Sequence, residues 1–145
     1  MKYFLMYVFM AFALLGCAKT EDTEIKAELL TLFDSAIKNN NATFQLSKLS
    51  LNWDSLLIVF PYSDVKRIKF SDRINTDILD QTDIQSRDDV CILVFLKDDK
   101  IISYVEMSRV YDFGKLSADK LYSKSQLFKL VKDPLSKSRY VIKEE

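Results

Sequence analysis

The chain has 145 residues, 48% of them hydrophobic, with 21 basic and 21 acidic side chains, a formal net charge of zero and no histidine. One modest domain is the upper bound, and no basic excess draws in nucleic acid. The Ser-His-Asp triad, the Cys-His dyad, His-ligated zinc and the imidazole pH switch all need the missing residue, and two glycines are too few for a phosphate-cradling loop.

Lys2 is followed by an uncharged apolar stretch, residues 3–15. It has the length of a signal-peptide core and falls short of the roughly 20 residues that span a bilayer. The stretch ends in Leu14-Leu15-Gly16-Cys17 and gives way to polar Lys19, Thr20, Glu21 and Asp22. Leu14-Leu15-Gly16-Cys17 resembles the lipobox of bacterial lipoproteins, with a small residue before the cysteine and an apolar one three before it. The resemblance implies cleavage between Gly16 and Cys17, diacylglycerol in thioether linkage on Cys17, and acylation (palmitate, for example) of the new amino terminus. Ala18 rather than aspartate after the cysteine implies the outer membrane, on its periplasmic face, in a Gram-negative source. The expected organisation is a removed signal peptide over 1–16, a lipidated tether over 17–22 and a single α+β domain over 23–145. Removing 16 residues leaves 129, and losing Lys2 makes the balance 20 − 21 = −1. A domain of that size buries a core without disulfides.

Ile25, Leu29, Leu32, Phe33, Ala36 and Ile37 recur at helical spacing. Acidic residues at the start and Lys38 at the end suit the helix dipole. This predicts an amphipathic helix over 22–38, stopped by Asn39-Asn40-Asn41. Residues 44–51 alternate, with Phe44, Leu46 and Lys48 against Gln45, Ser47 and Leu49, and read as a half-buried strand. Residues 55–60 carry no polar side chain after Ser55, so both faces of that strand should be covered. Pro61-Tyr62-Ser63 ends it, and Ser63-Asp64 caps a short helix with Val65 and Ile68 on one side. Residues 71–89 are aspartate-rich, with Ile74, Ile78, Leu79 and Ile84 as anchors, and fit either a loop or a second short helix. Residues 90–96 form the strongest strand, paired through a Lys97–Lys100 turn with 101–107, although Asp-Asp is a weaker turn signal than Asp-Gly. Residues 108–125 read as irregular, 126–132 as a strand, Asp133-Pro134 as a turn and 138–143 as a last strand. The expected architecture is α+β: one N-terminal amphipathic helix, then a mainly antiparallel sheet of about five or six strands.

Few residues offer chemistry. Trp53 and Asp54 could pair an aromatic with an acid, but a packed ring and a carboxylate accepting backbone N–H groups is the favoured reading. Cys91 sits in an apolar run without an activating base and reads as core filler. Asp77, Asp80 and Asp83 lack the glycine and terminal glutamate of a calcium loop, so no metal and no cofactor are expected. Lysines interleaved with Tyr122 and Phe128 imitate a nucleic-acid platform, yet alternating strand faces explain the same pattern. Carboxylate pairs suited to glycoside hydrolysis arise by chance in a chain with this many acids.

Trp53-Asp54 followed by Pro61-Tyr62-Ser63, together with the hairpin from Leu93 through Lys97-Asp98-Asp99-Lys100 to Glu106, is similar to a set of small bacterial lipoproteins of uncharacterised function. Asp112-Phe113 and Leu127-Phe128 extend the likeness, which covers 53–130. Glycine is common in that set where Asp99 stands here. The resemblance implies the same signal, helix and sheet order, and no activity or catalytic residue. The chain is therefore expected to be a non-enzymatic binding or support module, tethered to the envelope membrane by lipid on Cys17 and contacting another envelope protein. An inhibitor or immunity protein against an envelope-acting toxin or lytic enzyme is the alternative. Trp53, Asp54, Pro61 and Tyr62 form the candidate interaction or structural segment.

Overall fold

The computed structural model describes residues 21–39, 43–68, 70 and 72–145. Among them is one α-helix, α1 (Thr23–Lys38). The strands are β1 (Thr43–Gln45), β2 (Ser55–Val59), β3 (Val90–Lys97), β4 (Lys100–Ser108), β5 (Tyr111–Asp112), β6 (Tyr122–Ser123), β7 (Leu127–Lys132) and β8 (Tyr140–Glu144). They make two four-stranded sheets, a central one in the order β4-β3-β2-β6 and a second in the order β1-β7-β8-β5. All pairings are antiparallel except β5 with β8. The fold is thus α+β, with eight strands in two sheets replacing the expected single sheet of five or six. The extra strands, β5 and β6, are two residues long and lie in the segment expected to be irregular. So short a strand has no periodicity of its own and exists only because a neighbour offers its edge.

α1 forms where the apolar spacing places it. Asp22 caps it by accepting the Ile25 amide at 3.0 Å, and Ile25, Leu29, Phe33 and Ala36 turn inward. The cap also ties the helix to the sheet. The Asp22 amide donates to the Tyr104 carbonyl (3.0 Å), the Ser103 hydroxyl donates to the Asp22 carboxylate (2.9 Å), and the Glu106 amide donates to Glu21 (3.1 Å). Residues 21–22 thereby occupy part of the open edge of β4, an edge that would otherwise expose unpaired backbone groups.

β3 is buried from Val90 to Leu96. On one side Cys91, Leu93 and Phe95 join α1, Leu56, Ile58, Val105 and Met107 of the central sheet, and Phe44, Phe128, Leu130 and Ile142 of the second sheet. Phe33 lies at the centre of that cluster, with ring centroids 5.0 Å from Phe44 and 4.8 Å from Tyr111. On the other side Leu57, Val59, Ile92, Val94 and Leu96 pack under Val65, Ile74, Leu79 and Ile84. The undecided aspartate-rich segment is the lid of this second cluster, built of 3-10 turns at Asp77–Thr82 and Ile84–Ser86. A further turn over Val65–Arg67 is capped by Asp64.

The expected strand over 44–51 is shorter than its alternation suggests. It stops at Gln45, and Leu46–Lys48 is a 3-10 turn. Leu46 and Leu49 are both buried and Lys48 is exposed, because a three-residue turn puts positions i and i+3 on one side. The last strand begins at Tyr140 rather than 138, since Asp133 draws Arg139 back into the preceding loop (2.6 Å).

The β3–β4 hairpin turns on Asp98 and Asp99 alone, at φ 49° and 57°. Both residues lie in the left-handed region that two-residue hairpins demand and that glycine adopts without penalty. The Asp99 carboxylate reaches Arg73 only at 4.0 Å, between half-exposed side chains, an ion pair of little worth. Asp99→Gly is therefore expected to raise stability by about 0.5 kcal/mol, the relief of left-handed strain offset by added freedom in the unfolded chain. Urea unfolding checks the sign.

Candidate functional site

A concavity runs beside α1. Ala27, Thr31 and Ser35, spaced by four, present small side chains along one line of the helix, and Leu32 and Leu49 complete an apolar floor. Glu28, Lys48 and Ser50 stand at the rim of this trough of about 580 Å³. Two smaller hollows share Ser35 and continue it, one towards Ala36, Thr43 and Phe44, the other towards Asp34 and Lys38. From Ala27 to Ser35 the helix rises about 12 Å, room for four residues of extended chain. The wall opposite α1 is held in place by Glu28, whose carboxylate accepts the Ser50 amide (2.8 Å) and the Ser50 hydroxyl. Those two hydrogen bonds, the hydroxyl first, hold the Glu28 carboxyl below its ordinary range. It stays an anion engaged with Ser50, a bracing role rather than a proton-transfer one.

None of the trough residues stood out as functional in the sequence, where Leu32, Lys48 and Leu49 entered only through the helix and strand patterns. Small residues at helical spacing look like any solvated helix face, and the far wall lies some twenty residues further along the chain. Their only sequence signal is the repeat of Ala27, Thr31 and Ser35.

Gly16 and Cys17 lie outside the described residues. The four residues of the Trp-Asp…Pro-Tyr segment do not form one patch, because β2 separates them into two pairs at its opposite ends. Trp53 is 2% exposed, with its ring edge-on to Phe95 at 5.3 Å, and its indole N–H is buried without a hydrogen-bond partner. Asp54 seals the hairpin: its amide donates to Leu96, and its carboxylate accepts the Asp98 amide at 3.0 Å with Lys97 at 3.6 Å. The Trp-Asp pair and the Lys-Asp-Asp turn are thus two halves of one joint. Pro61 is half-buried, while Tyr62 is 65% exposed at φ 61°, its amide bonded to the Ile84 carbonyl.

The remaining candidates are scattered. Asp77 and Asp80 share the first 3-10 turn, Asp83 joins it to the second at φ 52°, and Asp80 faces Lys66 at 3.7 Å. Among the described residues no group of three His, Cys, Asp or Glu side chains could hold a metal ion. Burial pushes the Cys91 thiol up to about 12. Tyr122 and Phe128, the aromatics interleaved with lysine, are buried against each other at 5.6 Å. Comparison with known protein families, with curated proteins and with solved structures finds no match to this chain.

Two outcomes follow from the joint at Trp53 and Asp54. Trp53→Ala should cost about 3–5 kcal/mol. Trp53→Phe should cost clearly less, because it removes a buried donor that has no partner; chemical denaturation ranks the two. The Asp98 amide holds the Asp54 carboxyl below its ordinary range. Its contribution is present above the unfolded-state pKa and is lost as pH falls through the lower folded value. Asp54→Asn should thus be less stable than the parent at pH 7, with the difference shrinking when both are unfolded at pH 3.

Proposed function

We propose that the chain is a membrane-tethered binding module of a bacterial cell envelope, anchored by lipid on Cys17, which grips an extended segment of another envelope protein in the trough beside α1. The trough's make-up carries this reading: an apolar floor of small side chains, a polar rim, and a length that suits a short extended peptide. A recognition surface needs fixed walls, and the Glu28–Ser50 bridge supplies one. The rim pairs both signs, Glu28 and Asp34 with Lys38 and Lys48, which suits a peptide of mixed charge rather than a nucleic acid. The module works without catalysis, metal or cofactor, and belongs with the small lipoproteins that its Trp-Asp…Pro-Tyr segment and hairpin resemble. In a Gram-negative source it faces the periplasm from the outer membrane.

The alternative, an inhibitor or immunity protein, has one observation in its favour. Tyr62 is an exposed aromatic, a side chain of the kind that anchors tight interfaces, and its backbone amide is bonded to Ile84.

Envelope crosslinking of the full chain, followed by mass spectrometry, separates the two. Ser35 is exposed and lines all three hollows, so Ser35→Arg should fill the trough while leaving the thermal midpoint unchanged. The tethered module predicts a partner captured by the parent, lost at least about tenfold in Ser35→Arg, and lost in Cys17→Ala. Capture that survives both changes and disappears in Tyr62→Ala would favour the inhibitor. Capture indifferent to Ser35→Arg would overturn the trough as the binding surface.

A further inference from the structure

The β7–β8 hairpin ends in the loop over residues 133–139, and Leu135 at its tip is 91% exposed, far more than any other large apolar side chain described. The loop is built to hold it there. Asp133 is buried; its carboxylate accepts the Leu135 amide (2.9 Å) and the Arg139 guanidinium (2.6 Å), and its own amide donates to Arg139. Pro134 fixes the backbone before the tip. The Leu135 amide is therefore satisfied within the loop, so Leu135 can leave water without stranding its backbone donor. Lys132, Lys137 and Arg139 flank it against the single acid Asp133, an excess of two positive charges. The neighbouring turn adds Val110, also exposed, whose carbonyl accepts the Tyr140 amide at 2.7 Å.

The same end of the molecule receives the chain from the anchor. Glu21 is bound to Glu106, four residues before Val110 on the strand that runs into this turn. Only three residues separate Cys17 from Glu21, four residue steps that span about 14 Å when fully extended. A lipid on Cys17 would hold the edge of β4 close to the bilayer.

We propose that the 133–139 loop is a second membrane contact, in which Leu135 enters the headgroup region of an anionic phospholipid bilayer with Lys132, Lys137 and Arg139 against the phosphates. The proposal rests on the lipid-anchor reading. The anchor confines the domain to the surface, and the loop sets which face it turns to the lipid. A single apolar side chain with a few basic ones is too weak to recruit a free protein and enough to orient a tethered one. The exposed line of α1 is then left free for a partner.

The test uses the full lipidated chain in vesicles of phosphatidylethanolamine and phosphatidylglycerol. Leu135→Cys and, at the far end of β7, the exposed Ser125→Cys each carry a bimane label; buried Cys91 stays unlabelled in the folded protein. A blue-shifted label at 135, quenched several-fold more by lipid-borne nitroxide than the label at 125, is the expected result. Since bimane is itself apolar, trypsin cleavage of the unlabelled chain after Lys137 is followed as well. It should slow on vesicles relative to detergent, and Leu135→Asp should abolish the slowing. If the chain floats with the vesicles while 135 stays as water-exposed as 125 and cleavage is unchanged, the loop contact is wrong and the anchor stands. A chain that fails to float with the vesicles overturns the anchor, and the loop contact with it.

Discussion

β3 constrains everything around it. Its seven residues from Val90 to Leu96 point alternately to opposite faces of the central sheet, and all are buried. A strand of this kind cannot lie at a water-facing surface, so the fold must supply two covers. One is shared by α1 and the second sheet, the other is the chain of 3-10 turns between Val65 and Ser86. The second cover is polar to read and apolar where it counts. Its aspartates face solvent, while Ile74, Leu79 and Ile84 reach down to Ile92, Val94 and Leu96.

The edges of the central sheet are handled with equal economy. β4 is an edge strand, and the residues that enter α1 lie along it, so Asp22 both caps the helix and, through separate hydrogen bonds, covers part of that edge. The bulge between Phe95 and Leu96 has a similar double effect. It lets Ile101 face the turn-covered cluster while Ile102 and Ser103 face α1, which brings Ser103 to Asp22. The turn just beyond this bulge is closed by Asp54, which bonds Leu96 and Asp98. Core, edge and turn are therefore coupled through a handful of aspartates, whose short side chains suit backbone capping better than proton transfer.

These features arrange the molecule around its surfaces. The helix that shields β3 inward presents Ala27, Thr31 and Ser35 outward, and small side chains on a packed helix leave a trough wherever the facing segment is bulkier. The hairpin of the second sheet leaves Leu135 outside any core. Under the two proposals the tether enters on the β4 side, the 133–139 loop turns to the membrane and the exposed line of α1 turns to the partner.

Much was settled by the order of residues alone. The apolar spacing of α1, the continuous apolar run of β3 and the buried role of Trp53 are local consequences of periodicity and of a large ring with few places to go. Cys91 and the anchors Ile74, Leu79 and Ile84 were legible for the same reason. Other features needed the folded chain. Two-residue strands exist only against a partner's edge, the Leu46–Lys48 turn overrides an alternation that fits a strand equally well, and the split of the sheet in two depends on contacts between residues some eighty positions apart. The trough belongs to this second class. Its walls come from separate segments, and a concavity is a property of their distance, which no side chain carries by itself. Leu135 is the intermediate case. The loop was plain from Asp133-Pro134, but only the two bonds drawn in by Asp133 decide that the leucine points away from the protein.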